Sequence, residues 1–361
     1  MLVDHNHGAL GVGIENRVPP SAAVKRFPGV IGTFMGRDAL TLAIAHMGVG
    51  SGDTVLLPVY TCQEVLRSFV SRMDVVFYDV RPDLVVDPDE IRRKLNGRRA
   101  KAALITNYFG FLQPYRNELK AICSERGVGL IEDCAHSLLT EGSGETGDLA
   151  TYSFRKILPV PDGGGLRVND RSAPPAPSFH SRIYSDVLSA AASVKSMLKL
   201  NSTTLSRSNI TSHTGRVLPK ISHAAPSKRV LPLSHFAQSG MADLSFPDIV
   251  KKRTESFRFW QDLSAKAGSI TPVFDALLPG TCPLGFPVMV RDRATLESSA
   301  RKMGVPLSVH WRLDATLGTD CPTSHRLSAE MLTLPLCPDV SEAQRDVLAR
   351  LVIQGWQHGH A

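Results

Sequence analysis

Apolar residues in the first half of the chain recur with two different periods. The stretch "DALTLAIAHM" (38–47) places one face of apolar residues at helical spacing and is followed by "GVG", so it predicts a helix that ends at the glycines. Short continuous apolar runs such as "DTVLLP" and "VGLIED" predict buried strands. Because such strands and helices alternate from Gly32 to Val168, the pattern predicts an α/β fold with a mainly parallel sheet covered on both faces.

The same periodicities predict the other elements of the chain. In the first half they are helices over 61–73, 87–97 and 115–127 and strands over 74–80, 101–109 and 128–135. After Met241 they are helices over 246–266, 293–304 and 341–356 and strands over 285–292 and 305–311. We therefore predict a large domain over 1–240, with an irregular segment over 172–232 that carries one helix at 185–200, and a small α+β C-terminal domain over 241–361.

Composition narrows the class of protein. The 361 residues are 43% hydrophobic and 21% charged, which suits a folded chain with a sizeable core. No apolar run reaches the roughly 18 residues that span a bilayer, and the N-terminus lacks the basic start and apolar core of a secretory signal. The six cysteines form no C-x-x-C pair, so neither a disulfide framework nor a metal site is expected. A soluble protein in the reducing cytoplasm is the expectation.

Positive charge is concentrated in one segment. Between Phe179 and Val230 eight Lys or Arg residues face one acid, Asp186, so the segment contributes 8 − 1 = +7, as much as the whole chain's +7. A solvated surface insertion is the favoured interpretation, and contact with an anionic ligand stays open. Nucleic acid is an unlikely partner because the segment lacks interleaved aromatic residues.

Chemically distinctive residues follow the predicted strands or precede a predicted helix. Asp133 ends the strand "VGLIED", Ser153 and Lys156 follow "ATY", and Gly36-Arg37-Asp38 precede the first helix. In an open α/β sheet, ligands bind outside the carboxyl ends of the strands, and a helix start offers N–H groups to a phosphate. Pyridoxal phosphate (PLP) needs all three: a lysine for its aldehyde, an acid for its pyridine nitrogen and a helix end for its phosphate.

Five stretches resemble the sugar aminotransferases of the DegT/DnrJ/EryC1/StrS family, which are fold type I PLP-dependent transferases. They are "GRDALTLAIAHMGVGSGDTVLLPVYTC", "YFGFLQP", "LIEDCAHS", "GDLATYSF" and the spacing of seven residues from Lys156 to Gly163-Gly164. The resemblance covers about 32–168 well and resumes weakly from Met241. It implies the fold type I architecture, PLP as cofactor, and a homodimer.

The resemblance also implies a role for each matching residue. Lys156 would carry the PLP and shuttle a proton, and Asp133 would pair with the pyridinium nitrogen. His136 would lie near the hydroxyl or the face of the PLP ring. Alternatively, His136 is a core residue whose hydrogen bonds are all made within the protein. Ser153 would bind the phosphate together with the backbone N–H groups of Arg37 and Asp38.

The chain departs from the family pattern at four places. Gly36-Arg37-Asp38 stands where the family has a Gly-Thr-Ala type turn, and "SFRK" is two residues shorter than the family's segment. Cys62 stands where an aromatic side chain usually stacks on the cofactor, so Tyr60 or His136 is the expected substitute. Gln238 stands where the family lends an asparagine to the phosphate of the neighbouring subunit.

The expected activity is transfer of an amino group, from glutamate, to a keto group on a nucleotide-linked sugar or related precursor. A sugar 3-dehydratase is disfavoured because those relatives carry histidine in place of the lysine. Elimination, racemisation and a degenerate PLP-fold binding protein stay open.

Three other features of the sequence have a less specific pattern. Cys134 is interpreted as a core residue, and His310-Trp311 as core packing or as lining of the cleft. The stretch "GSGETG" (142–147) is interpreted as a flexible loop, because it lacks the lysine of a P-loop.

Overall fold

A computed structural model describes residues 23–354 of the chain, apart from 71, 170–177, 180–181, 202–228, 268–269, 304, 306 and 338. The described residues form two units, each drawn from two stretches of the chain. The first unit combines the residues up to His46 with Thr151–Leu244, and the second combines Met47–Ala150 with the residues from Ser245 onward. The domain boundaries predicted from the sequence, 1–240 and 241–361, stay a prediction.

The described elements are labelled in chain order. The strands are β1 (Ala23–Val24), β2 (Phe27–Thr33), β3 (Thr54–Pro58), β4 (Asp74–Tyr78), β5 (Ala100–Thr106), β6 (Gly129–Asp133), β7 (Leu149–Ser153), β8 (Gly164–Val168), β9 (Ser178–Phe179), β10 (Arg229–Val230), β11 (Ile270–Pro272), β12 (Phe286–Val290) and β13 (Met331–Leu334). The helices are α1 (Gly36–His46), α2 (Gln63–Phe69), α3 (Pro88–Leu95), α4 (Arg116–Glu125), α5 (Arg182–Asn201), α6 (His235–Ala242), α7 (Phe246–Ala267), α8 (Arg293–Lys302), α9 (Pro322–Glu330) and α10 (Glu342–Gln354).

The first unit is built on strands in the order β1-β2-β8-β7. Strand β2 pairs antiparallel with both β1 and β8, and helix α1 packs against β8 and β2. Helices α5 and α6 pack against each other. The short strands β9 and β10 pair in parallel.

The second unit holds strands in the order β6-β5-β3-β4, all paired in parallel. Because Thr106 of β5 is in register with Asp133 of β6, the carboxyl ends of these two strands lie side by side. A separate antiparallel sheet runs β11-β12-β13. The core of this unit contains large buried side chains that include Trp260, Phe257 and Phe286.

Local sequence explains the helices that were predicted correctly. Asp87 caps α3 by accepting a hydrogen bond from the N–H of Asp89, and Pro88 occupies the first turn, where no partner for its nitrogen is needed. Acidic residues in the first turn of α3 and basic residues in its last turn suit the helix dipole.

The predicted parallel α/β pattern is confirmed, and so is the helix predicted in the basic segment, which is α5. The basic residues at 202–228 lie outside the described residues.

The strand predicted over 305–311 was wrong. Among its described residues only Ser308 pairs with a strand residue, through a single antiparallel bridge to Thr333. Helix α9 and strand β13 were missed. The start of α9 depends on a residue far away in the chain: Asp79 accepts hydrogen bonds from the N–H groups of Thr323 and Ser324, so no local N-cap marks it.

Within the described part of the chain, none of the helices is both long enough and apolar enough to cross a membrane.

Candidate active site

The lysine lies on a short turn that a buried aromatic residue anchors. Strand β7 ends at Ser153, and Phe154–Lys156 form one turn of 3₁₀ helix. Phe154 is fully buried and stacks on Phe27, with ring centroids 5.0 Å apart. The backbone of Lys156 is therefore positioned by a residue two places before it, while its side chain is half-buried.

The glycines after the lysine allow two backbones to approach closely. Gly163 has a φ of 124°, which favours glycine. Its N–H donates to the carbonyl of Phe34 at 2.6 Å, and its carbonyl accepts from the N–H of Phe154 at 2.9 Å. A Cβ on Gly164 would meet the backbone of Met35 and lie 2.6 Å from the nitrogen of Gly36. Glycine is needed here because the chain beyond the lysine packs directly against the start of α1.

The start of α1 lies beside Ser153, as the sequence predicted for a phosphate site. A Cβ on Gly36 would lie 3.1 Å from the carbonyl oxygen of Tyr152 and 3.3 Å from the Cβ of Ser153. Lys156 lies on the 3₁₀ turn that directly follows Ser153. Gly36, Ser153 and Lys156 therefore all belong to the first unit.

Asp38 forms a reciprocal cap with Met35. The N–H of Met35 donates to the Asp38 carboxylate at 3.0 Å, and the N–H of Asp38 donates to the carbonyl of Met35 at 3.0 Å. The Asp38 amide predicted to bind a phosphate is thus already engaged, so a phosphate would share that N–H or use the amides of Gly36 and Arg37. Burial raises the pKa of the Asp38 carboxyl to about 6, although the charge of Arg37 and the Met35 hydrogen bond oppose the shift.

Gln238 lies on α6 and is half-buried. Its side-chain amide donates to the carbonyl of Ala23 in the same unit, at 3.3 Å. The role predicted for it toward a neighbouring subunit stays a prediction.

In the second unit, Asp133 ends β6 with its side chain 7% exposed. One carboxylate oxygen accepts from the N–H of Ala135 at 3.0 Å, and its backbone carbonyl accepts from the N–H of Asn107 at 3.0 Å. The preceding residue, Glu132, is fully buried and accepts from the N–H groups of Thr146 and Gly147. The loop predicted to be flexible is therefore tied to the strand beside Asp133.

His136 is buried among aromatic side chains of the second unit. Its Nδ1 accepts from the N–H of Phe109 at 3.3 Å, which in the neutral ring places the proton on Nε2. Its ring stacks on Trp311 at 5.3 Å and meets His310 edge-on at 5.5 Å. Trp311 packs against the core of the unit, in agreement with the core-packing interpretation, and both His310 and Trp311 also contact His136. No signal in the sequence marks this contact.

Tyr60 does not fit the role of a ring that stacks on a ligand. Its side chain is fully buried, packed 6.0 Å from Tyr108 and 5.4 Å from Trp311, so it has no exposed face. Burial raises the pKa of Tyr60 well above its ordinary value, so the phenol is neutral. Cys62 is half-buried at the N-cap position of α2.

Residues 23–174 match the model of the DegT/DnrJ/EryC1/StrS aminotransferase family. Among curated proteins, GDP-perosamine synthase of Vibrio cholerae is 31% identical over 142 residues, 37% of this chain and 38% of that protein. The chain spans less than half of the length of the curated relatives it matches.

Two solved structures are similar over nearly the whole chain. A DegT DnrJ EryC1 StrS aminotransferase from Brucella abortus has a TM-score of 0.65 at 21% identity, covering 98% of this chain and 91% of that one. The PLP form of a putative sugar aminotransferase from Streptococcus pneumoniae has a TM-score of 0.67 at 16% identity, covering 96% and 91%. The predicted fold type I architecture is confirmed, and the family resemblance is confirmed for residues 23–174.

Proposed function

We propose that this protein is a PLP-dependent aminotransferase. One observation carries the proposal: the family match over 23–174 includes Gly36, Asp133, Ser153 and Lys156 in order, and the glycines after the lysine pack onto the start of α1. We propose that Lys156, Ser153, Asp133 and His136 each have the role toward PLP that the family resemblance implies.

The residues present fit PLP. A side chain at position 36 would crowd Ser153, so the helix begins with a glycine there. The backbone N–H groups of this helix start and the Ser153 hydroxyl suit a phosphate. Asp133 supplies a nearly buried carboxylate, which suits a protonated pyridine nitrogen. Arg37 adds a positive charge to the same helix start. The Asp38 carboxylate would repel a phosphate bound at this helix start, because it is mostly ionised above pH 6.

Each residue then has a defined task. Lys156 holds the cofactor through its Nζ and, once released, moves a proton from the α-carbon of the donor. Asp133 keeps a proton on the ring nitrogen. PLP, when bound, supplies the electron sink that makes the α-carbon proton acidic.

For the substrates we propose glutamate as donor and a keto group on a nucleotide-linked sugar as acceptor. The amino group of glutamate would pass to the carbonyl carbon of the acceptor, which gains a hydrogen and loses its oxygen as water. Glutamate would lose its α-hydrogen as a proton, gain a keto oxygen from water and leave as 2-oxoglutarate. The name of the relative GDP-perosamine synthase supports this acceptor class. We also propose a homodimer, which light scattering would test, and a cytoplasmic setting; nucleic acid stays an unlikely partner.

Borohydride trapping tests the cofactor and the lysine together. The purified protein, supplied with PLP, is reduced with borohydride and mapped by peptide mass spectrometry. We expect a yellow protein whose pyridoxyl group maps to Lys156, and loss of the yellow absorbance when glutamate is added. A protein that takes up no PLP would overturn the proposal and favour a degenerate binding protein. Elimination chemistry would release an unsaturated product without amino transfer.

A further inference from the structure

Asp162 is a buried carboxylate to which none of the steps above assigns a role. It is 0% exposed and lies between Lys156 and the glycines. Its Oδ2 accepts from the hydroxyls of Ser189 at 2.6 Å and Ser234 at 2.5 Å, and its Oδ1 accepts from the N–H of Ser234 at 3.2 Å. Burial raises the pKa of this carboxyl, and the serine hydrogen bonds oppose the rise. A buried charge persists only where such bonds compensate it.

The two serines belong to different helices. Ser189 lies on α5, and Ser234 is the N-cap of α6, where its hydroxyl also accepts from the N–H of Ala237 at 3.0 Å. The Asp162 carboxyl therefore lies at the N-terminal end of α6, where the helix dipole favours a negative group. Asp186 of α5 reinforces the junction by accepting from the N–H of His235 at 2.7 Å. Asp162 thus ties the loop after the lysine to two helices at once.

The same loop is fixed at its two ends. Its start is held by the N–H of Leu158, which donates to Phe154 at 2.8 Å, and its end by Gly163, which bonds both Phe34 and Phe154. Prolines at 159 and 161 further restrict the backbone between these points. With Asp162 in place the loop is anchored to Phe34, two residues before α1, and to α5 and α6. A misplacement of about 1 Å at a reacting group can cost roughly 100-fold in rate.

We propose that Asp162 is a positioning residue for Lys156: its carboxylate, held by Ser189 and Ser234, fixes the loop over 157–163 on α5 and α6 and so sets where the lysine amine lies. This inference rests on the proposed function, because it assigns Asp162 a role in the work of Lys156.

A purely structural role is the alternative, and the chain offers a matched control for it. Asp79 in the second unit also accepts from one serine hydroxyl, that of Ser324, and from the backbone N–H groups of Val80, Thr323 and Ser324. It ties down the start of α9 and lies in a different unit from the lysine loop. Asp79→Ala therefore removes a similar set of hydrogen bonds without touching that loop.

The experiment compares the wild type, Asp162→Ala, Asp162→Asn and Asp79→Ala as full-length proteins. Three quantities are measured: the thermal midpoint, the rate at which PLP becomes trappable by borohydride on Lys156, and kcat and KM for the amino donor. We expect Asp162→Ala to slow trapping and to lower kcat by roughly 10- to 100-fold, with KM changed less than about twofold. Asp79→Ala should lower the thermal midpoint and leave the trapping rate unchanged.

Asp162→Asn keeps an oxygen acceptor and the shape of the side chain, so it should recover most of the trapping rate. If Asp162→Ala does not fold, a trapping defect in Ser189→Ala or Ser234→Ala supports the proposal, and wild-type trapping in both overturns it. Trapping and kcat at wild-type values in folded Asp162→Ala would also overturn it, as would an equal trapping defect in Asp79→Ala. A wild-type protein that carries no pyridoxyl group on Lys156 would instead refute the proposed function itself.

Discussion

The lysine-bearing first unit and the carboxylate-bearing second unit hold their candidate residues by different means. In the first, Gly36, Gly163 and Gly164 let backbones approach, and main-chain hydrogen bonds of Phe154 and Gly163 hold the two ends of the loop after Lys156. In the second, Asp133 lies in a network of buried polar side chains. The Asn107 side-chain amide donates to Glu132, its oxygen accepts from the backbone N–H of Gln113, and its backbone N–H donates to the carbonyl of Asp133.

This difference explains why the spacing after the lysine is visible in the sequence, whereas the hydrogen bonds around Asp133 are not. Backbone contact requires glycine at defined positions, so it leaves a countable spacing in the chain. A side-chain network requires only that donors meet acceptors, and many sequences satisfy this condition. The two halves should therefore respond differently to substitution.

Lys156→Ala should have the largest effect of all. Removing the amine deletes both the attachment point and the base, so amino transfer should fall by at least roughly 10²- to 10⁴-fold, the usual contribution of a positioned base. The fall in amino transfer is measured as steady-state turnover with glutamate. Lys251→Ala, on an exposed part of α7, is the control and should be neutral. Undiminished turnover by the Lys156 variant would remove the lysine from the mechanism.

Asp133→Asn should come next and should act on rate rather than stability. Losing the charge that retains the ring proton should lower kcat by roughly 10²-fold and leave the thermal midpoint nearly unchanged. The neighbour supplies the contrast: Glu132→Gln turns an amide toward the amide of Asn107 and should cost about 1–3 kcal/mol of stability. Equal kinetic losses in both variants would mean that Asp133 has no special role.

Gly164→Ala should destabilise the first unit and weaken PLP binding together. The new Cβ meets the backbone of Met35 and Gly36, which cannot move aside as a side chain would, so about 1–3 kcal/mol of stability should be lost. Gly240→Ala on α6 is the matched control, since its Cβ lies 3.5 Å from Val160 and helix propensity should add about 0.5–1 kcal/mol. Urea unfolding measures the loss of stability, and PLP titration measures the loss of cofactor affinity. A stable, tightly binding Gly164→Ala would show that the close approach is dispensable.

Asp38→Asn should have the smallest effect and a defined pH dependence. Because the pKa of Asp38 rises from 3.8 to about 6 on folding, the ionised carboxylate disfavours the folded state above pH 6. That cost disappears as the pH falls from 6 toward 4 and the folded state binds the proton. The asparagine keeps an oxygen for the Met35 N–H and carries no charge.

The asparagine variant should therefore be more stable than the wild type near neutral pH, by about 1 kcal/mol after allowance for partial exposure. The difference should vanish toward pH 4. Denaturant unfolding across this range measures it, and a difference that does not change with pH would contradict the assigned cause.

The sequence alone determined the alternation of helices and strands from α1 to β6, the spacing from the lysine to the glycines, and the acid at the end of β6. Each of these depends on residues close together in the chain, where periodicity, glycine spacing and strand ends act. Residue contacts between distant segments were decided only by the tertiary structure. Trp311 and His310 meet His136, Ser189 and Ser234 meet Asp162, and Asp79 starts α9. Such contacts form because folding brings buried donors to buried acceptors, and that condition fixes no separation along the chain.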